Sequence, residues 1–271
     1  MNLFEKVLVF LQGEMTKPKP YGWFHLLSIF LMLIAIFILY KNRFKDNEKK
    51  LNKVLLIYGI IAFVLELLKQ IIWSFNYDPL TFAITWDYQW YAAPFQLCTT
   101  PIYVSLLCPF IKNKKVKYAL LSYLAYITIL GSIATIIIPN NCFTETILVN
   151  IHTMWLHLGS FVVSIYLLIT KRVKNEVNNL LHAFVVFLIF LFIALFLNLF
   201  IYNIGILNGE TFNMFYVSPY FKSELPIFDV IWESMPYIVF LIFYISAIGL
   251  GSIIVYLFTK LLNSTKIKKK F

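Results

Sequence analysis

Few side chains in this chain can do chemistry, and most of them stand inside long apolar stretches. Glu66, Lys69 and Gln70 are spaced by three and four residues, which puts them on one face of a helix. Such a set is either a neutralised Glu–Lys pair that fixes packing or part of a charged site. Cys98 lies in the run Pro94-Phe95-Gln96-Leu97-Cys98-Thr99-Thr100-Pro101. A helix through this run would be opened by Pro101, which removes the donor for the Leu97 carbonyl. A thiol there could be accessible and polarised. The plainer reading is a small apolar residue, which also serves for Cys108 and Cys142. His152 and His157 are five residues apart, roughly 140° around a helix, so both are not expected to face one site. His157, beside Gly159 and Ser160, needs a partner at depth, and an interhelical hydrogen bond is the alternative to catalysis. His25, Asn198 and Asn203 stand near the ends of other apolar stretches. An ionisable group in hydrocarbon costs about 2.5 kcal/mol or more on insertion scales, which makes each of these residues a functional candidate.

The elements that must position them are membrane spans. With 271 residues, 61% hydrophobic, 13% charged and a mean hydropathy of +0.79, the chain is not an ordinary soluble domain. Apolar stretches at 22–40, 55–73, 94–111, 118–138, 148–170, 180–202 and 237–259 each approach the roughly 20 residues needed to cross a bilayer. The fold expected is an all-α integral membrane protein, a seven-helix transmembrane bundle over 21–260. An interfacial segment (1–20) precedes it and a basic cytoplasmic tail (261–271) follows. Of the 23 Lys and Arg residues, 18 lie in every second connection and in the tail. Basic loops stay in the cytoplasm, so the N-terminus is expected outside and the C-terminus inside, in a multi-pass plasma-membrane protein.

This orientation places His25, Glu66, Lys69, Gln96, Cys98, His157, Asn198 and Asn203 in the outer half of the bundle. Polar residues serving only as packing glue would scatter in depth, so one site opening to the outer leaflet explains the clustering. All six tryptophans also fall on or near the outer half. Two outer connections are long, 74–93 and 203–236, and the second has room for a short interfacial or re-entrant helix. Residues 1–13 have the pattern of an amphipathic interfacial helix rather than of a signal peptide. The net charge of +10 caps helix ends beside anionic lipid, which argues against nucleic acid as a partner. Three cysteines without paired spacing exclude a disulfide framework and a zinc site.

The order of several motifs resembles the YwaF-like bacterial integral membrane family. They are Gly22-Trp23-Phe24-His25-Leu26-Leu27, Glu66, Pro94-Phe95-Gln96-Leu97-Cys98, His157-Leu158-Gly159-Ser160, and the run from Asn203 into Phe212-Asn213-Met214-Phe215-Tyr216. The animal relatives of that family include a transmembrane acyltransferase that remodels phospholipids, and androgen-induced membrane hydrolases of fatty-acid esters are more distant kin. The resemblance implies a cysteine nucleophile at Cys98 and a histidine base at His157. Glu66 or His25 would orient the base or bind the acceptor, with Lys69, Gln96, Thr99, Asn198 and Asn203 around them. Gln96 stands where a histidine would be expected and Thr99 where an acidic residue would be, which leaves Glu66 as the orienting carboxylate.

A thiolate can carry an acyl group as a thioester, and an imidazole can generate the thiolate and then activate an acceptor hydroxyl. Amides near Pro101, or Gln96, would hold the oxyanion. The function expected is transfer of a fatty acyl group between phospholipid and lysolipid, without metal or cofactor and with membrane lipids as partners. The alternatives are a lipid esterase, with Thr99 or Thr100 as the nucleophile if Cys98 is inert, and a non-enzymatic transporter or binding protein lined by Glu66 and Lys69.

Overall fold

The chain is mostly helical in a computed structural model that describes residues 2–139 and 142–268. Helix α1 (Leu3–Leu11) opens with a capping box in which Asn2 and Glu5 satisfy each other's backbone amides. Its Leu8 is buried against Ile72, Phe75 and Val149, while Leu3, Phe4, Val7 and Phe10 face outward. Gln12 fastens its end by donating to the carbonyls of Ile72 (2.7 Å) and Phe75 (2.6 Å). A bridge between Glu14 and Thr146 ties the next residues to the bundle.

Helix α2 (Trp23–Lys41) buries only His25 and Met32, so its apolar surface is turned away from the rest of the chain. Helix α3 (Glu48–Ser74) starts at Asn47, whose side chain accepts from the Lys50 amide. It runs directly into an antiparallel pair of short strands, β1 (Phe75–Tyr77) and β2 (Ile84–Trp86). Helix α4 (Thr100–Leu107) continues through a 3₁₀ turn to Phe110. Helices α5 (Lys114–Tyr126) and α6 (Thr128–Ile137) are separated at Ile127, within the β-branched run Ile127-Thr128-Ile129. Then follow α7 (Ile147–Ile169) and α8 (Val177–Ile204), which Gly205 ends with a left-handed φ of 76°. The short α9 (Phe228–Ser234) leads into α10 (Tyr237–Lys268). The lysine side chains of the basic tail expected over 261–271 lie outside the described residues.

Among the described residues, six helical stretches are long and apolar enough to cross a membrane: Trp23–Lys41, Glu48–Ser74, Lys114–Ile137, Ile147–Ile169, Val177–Ile204 and Tyr237–Leu262. The third expected span, 94–111, is not a continuous helix. Residues 94–99 form bends and turns, and the helix begins only at Thr100, with Pro101 in its first turn. Pro101 therefore starts a helix rather than opening one, because its missing N–H falls where no intrahelical bond is made. From Thr100 to Phe110 the helical part is about 16 Å long, half of the roughly 30 Å of a hydrocarbon core.

Contacts at both ends show what this segment runs between. The Ala92 carbonyl receives hydrogen bonds from Lys69 and Gln70 near the end of α3. Lys117, near the start of α5, ion-pairs with Glu48 at the start of α3 and reaches Asn52. Helix α5 packs against α4, α7, α8 and α10, and its second half, Leu121 to Tyr126, is completely buried. Gly59 on α3 lets Leu106 of α4 approach so closely that a Cβ would meet it at 3.0 Å.

Candidate functional site

Glu66 is the centre of the buried polar cluster. One of its carboxylate oxygens accepts from Lys69 Nζ at 2.7 Å and from Gln70 Nε2 at 2.8 Å. The other lies 2.8 Å from His152 Nε2 on α7. Glu66, Lys69 and His152 are each less than a tenth exposed. Spacing within α3 brings the first two together, and packing of α3 on α7 brings the third. Lys69 also donates to the Ala92 carbonyl at 3.2 Å and sits over the Trp73 ring. The cluster thus anchors the chain just before the unwound stretch that carries Cys98.

Cys98 occupies the turn immediately before Thr99, the N-cap residue of α4. Lys69 and Glu66 are within electrostatic reach of its sulfur, as is Cys142. The helix N-terminus and the Lys69 ammonium favour an anion here, while burial and the Glu66 carboxylate oppose one. Cys98 keeps part of its surface accessible although protein surrounds it, and the same holds for His157 on α7. His157 lies beside Gly131 of α6, its Nδ1 4.0 Å from where a Cβ on that glycine would stand.

The sequence profile of the TMEM164 family matches residues 20–261, which take in every element from α2 to the apolar part of α10. The chain belongs to the TMEM164 family. With its six long apolar helices it is a multi-pass membrane protein. No curated protein and no solved structure matches it.

In this TMEM164-family chain a second irregular stretch faces the first. Residues 212–218 dip between the helices, with Met214, Phe215, Val217 and Ser218 fully buried. Gln96 clamps the two stretches together by donating to the Asn213 carbonyl at 2.9 Å and accepting from the Phe215 amide at 2.7 Å. Asn198 on α8 does the same for Met214, donating to its carbonyl at 3.0 Å and accepting from its amide at 2.7 Å. Asn213 closes the loop on itself, accepting from the Ser218 amide and donating to the Phe221 and Lys222 carbonyls. Backbone away from water needs such partners. Gln96 and Asn198 are thus committed to shaping the site.

The other expected site residues divide. Thr99 donates to backbone carbonyls of its own turn, those of Gln96 and Pro94. Thr100 contacts Tyr123 and the Leu97 carbonyl, so both hydroxyls are already engaged. His25 is fully buried among Tyr21 and Phe143, its Nδ1 accepting from the Tyr21 amide, and among the described residues it makes no hydrogen bond or ion pair to Glu66 or Cys98. Asn203 lies exposed in the last turn of α8, bonded to Leu199 and Tyr220. Two contributors escape sequence reasoning. His152 fails the test of sharing a helical face with His157, yet it is the imidazole that Glu66 holds. Asn213 belongs to the motif 212–216, but an asparagine that caps its own loop has no periodicity to betray it.

Proposed function

We propose that this protein is a phospholipid-remodelling acyltransferase of the plasma membrane, with Cys98 as the nucleophile and His157 as the base. One observation carries the proposal: an unwound stretch inside the bundle delivers Cys98 to the N-terminal end of a buried half-length helix, beside Lys69. Irregular backbone at membrane depth is tolerated only where it is buried in protein or lines a cavity. Broken spans of this kind present helix N-termini to anionic groups. Cys98 carries the acyl group as a thioester while His157 moves the proton. Glu66 fixes Lys69, whose charge favours the thiolate.

The proposal includes seven crossings with the N-terminus outside. Residues 93–113 lead from the Lys69 end of α3 to its Glu48 end, which is the length of a crossing, and the alternating basic connections set the direction. On that orientation the site opens to the outer leaflet. Membership of the TMEM164 family and the resemblance to phospholipid-remodelling relatives support the choice of lipid acyl chemistry.

The test uses the purified protein in nanodiscs with a phospholipid labelled in its acyl chain and an unlabelled lysophospholipid. Label should pass to the lysolipid, and a labelled thioester should be trapped on the protein. Cys98→Ala should abolish both, and His157→Ala should slow both. Undiminished exchange in Cys98→Ala, or release of free fatty acid alone, would sink the proposal.

A further inference from the structure

Helix α3 carries a second mixed feature at the end away from Glu66, on the face turned out of the bundle. Lys49, Lys53, Ile57 and Ile61 follow one another at four-residue steps, and Asn52, Leu56 and Ile60 form the row beside them. Side chains so spaced stand one above the other as ridges, with a furrow between neighbouring rows. These residues line a shallow groove of about 570 Å³ that runs about 18 Å along the helix axis. The opposite face of α3 is buried, with Leu51, Leu55, Tyr58, Gly59 and Ala62 turned inward, while Ile57, Ile60 and Ile61 are exposed.

Most basic groups around this end of α3 are already engaged. Lys50 donates to the Asn42 carbonyl, Arg43 donates to the Tyr40 carbonyl, Lys117 pairs with Glu48, and Arg172 pairs with Asp46 and Glu48. Lys49 and Lys53 are exposed and have no hydrogen bond or ion pair among the described residues. Asn52 accepts from Lys117 through its Oδ1 at 3.4 Å, and its amide N–H groups have no acceptor among the described residues. Two like charges one turn apart on a helix repel each other. A single anion seated between them relieves that repulsion, with the Asn52 amide in the next row as a further donor.

Within one turn of Lys53 the groove becomes wholly aliphatic, through Leu56, Ile57, Ile60 and Ile61. A free anion would leave that part uncovered, and a zwitterionic lipid, whose phosphate has its own ammonium, would leave the two lysines unopposed. An anionic amphiphile satisfies both halves. The setting agrees: α3 has 27 residues and is about 40 Å long, more than the roughly 30 Å of a hydrocarbon core, so its first turns stand at headgroup level. Basic groups there attract anionic lipid.

We propose that this groove is a binding site for an anionic phospholipid, with its phosphate between Lys49 and Lys53 and one acyl chain in the furrow from Leu56 to Ile61. The site lies at the far end of α3 from the Glu66 cluster, and it stands whether or not Cys98 transfers acyl groups.

The test uses the purified full-length protein in detergent, titrated at fixed ionic strength with palmitoyl-oleoyl phosphatidylglycerol, with phosphatidylcholine of the same chains, or with inorganic phosphate. Bound lipid is read by native mass spectrometry. Phosphatidylglycerol should bind in preference to phosphatidylcholine, and millimolar phosphate should not displace it. Lys49→Gln with Lys53→Gln should weaken phosphatidylglycerol binding about 25-fold, roughly fivefold for each lysine. Lys114→Gln with Lys115→Gln removes the same charge from exposed positions outside the groove and should change binding less than about twofold. Ile57→Ser with Ile60→Ser should weaken it with both lysines in place. Unfolding temperatures of all three variants should match wild type, because every substituted side chain is exposed. Equal loss in the Lys114 and Lys115 variant would reduce the effect to diffuse charge and overturn the site. So would phosphatidylcholine bound as tightly, displacement by phosphate, or unchanged binding in the Lys49 and Lys53 variant.

Discussion

Two charged clusters in this molecule have similar chemistry and opposite surroundings. At one end, Arg172 Nε meets Asp46 at 2.5 Å, its Nη1 meets Glu48 at 3.2 Å, Lys117 pairs with Glu48, and the Tyr166 hydroxyl donates to Asp46. This group ties the turn before α3, the start of α5 and the end of α7 together. The Glu48 side chain is 54% exposed, that of Arg172 24% and that of Asp46 10%, so water reaches this cluster mainly through Glu48. Toward the other end, Glu66 binds Lys69 and His152 at equally short distances, with Glu66 only 3% exposed. Distances alone would rank the clusters as equals. Surroundings do not: water screens the first, while the second keeps its charges only because each has its partner.

The largest expected effect follows from this. Glu66→Leu strands a buried ammonium beside an imidazole and should destabilise the protein by about 3–5 kcal/mol, read as thermal unfolding in detergent at several salt concentrations. Salt should leave the loss unchanged. Replacing Lys69 by Leu in the same chain should recover much of it, because removing a whole buried pair is far milder than removing half. A double variant as unstable as Glu66→Leu would show that the cluster is not governed by pairing.

Asn198→Leu comes next. It leaves the Met214 amide buried without a partner, at about 1–3 kcal/mol, and its carbonyl with only the long bond from the Val217 amide at 3.4 Å, and should free residues 212–218 to limited proteolysis. Gly159→Ala should cost about 1–3 kcal/mol by overpacking, since its Cβ would meet the Tyr58 ring at 2.9 Å. An unfolding temperature unchanged in Gly159→Ala would mean that Tyr58 gives way freely.

Sequence made some of this legible and hid the rest for physical reasons. Apolar length reveals the long helices, because each one satisfies its own backbone and needs only about 20 apolar residues. The same rule misses that 94–111 is not one continuous helix, because hydropathy is high enough there while the backbone of 94–99 turns instead. Proline marks that boundary ambiguously: Pro101 fits an opened helix and a helix start equally well, and only the engaged Thr99 and Thr100 hydroxyls distinguish them. Helical spacing exposes Glu66 and Lys69 as neighbours. It says nothing of His152, whose place beside Glu66 depends on how α7 is rotated against α3. Gln96 and Asn198 look like polar candidates in a list of residues, and their work as clamps appears only when the loop they hold is in place.

The smallest expected effect sharpens the comparison from the screened side. Arg172→Met removes two of the three ion pairs of the more exposed cluster, yet Asp46 keeps the Tyr166 hydroxyl and Glu48 keeps Lys117 and water. The methionine retains much of the packing of the arginine stem. A loss below about 1 kcal/mol is expected, with raised salt bringing wild type and variant closer together in unfolding temperature. Glu66 has no such access to water within the packed faces of α3 and α7. If Arg172→Met cost as much as Glu66→Leu and ignored salt, exposure would not be what separates the two clusters, and the net charge each one holds would have to be.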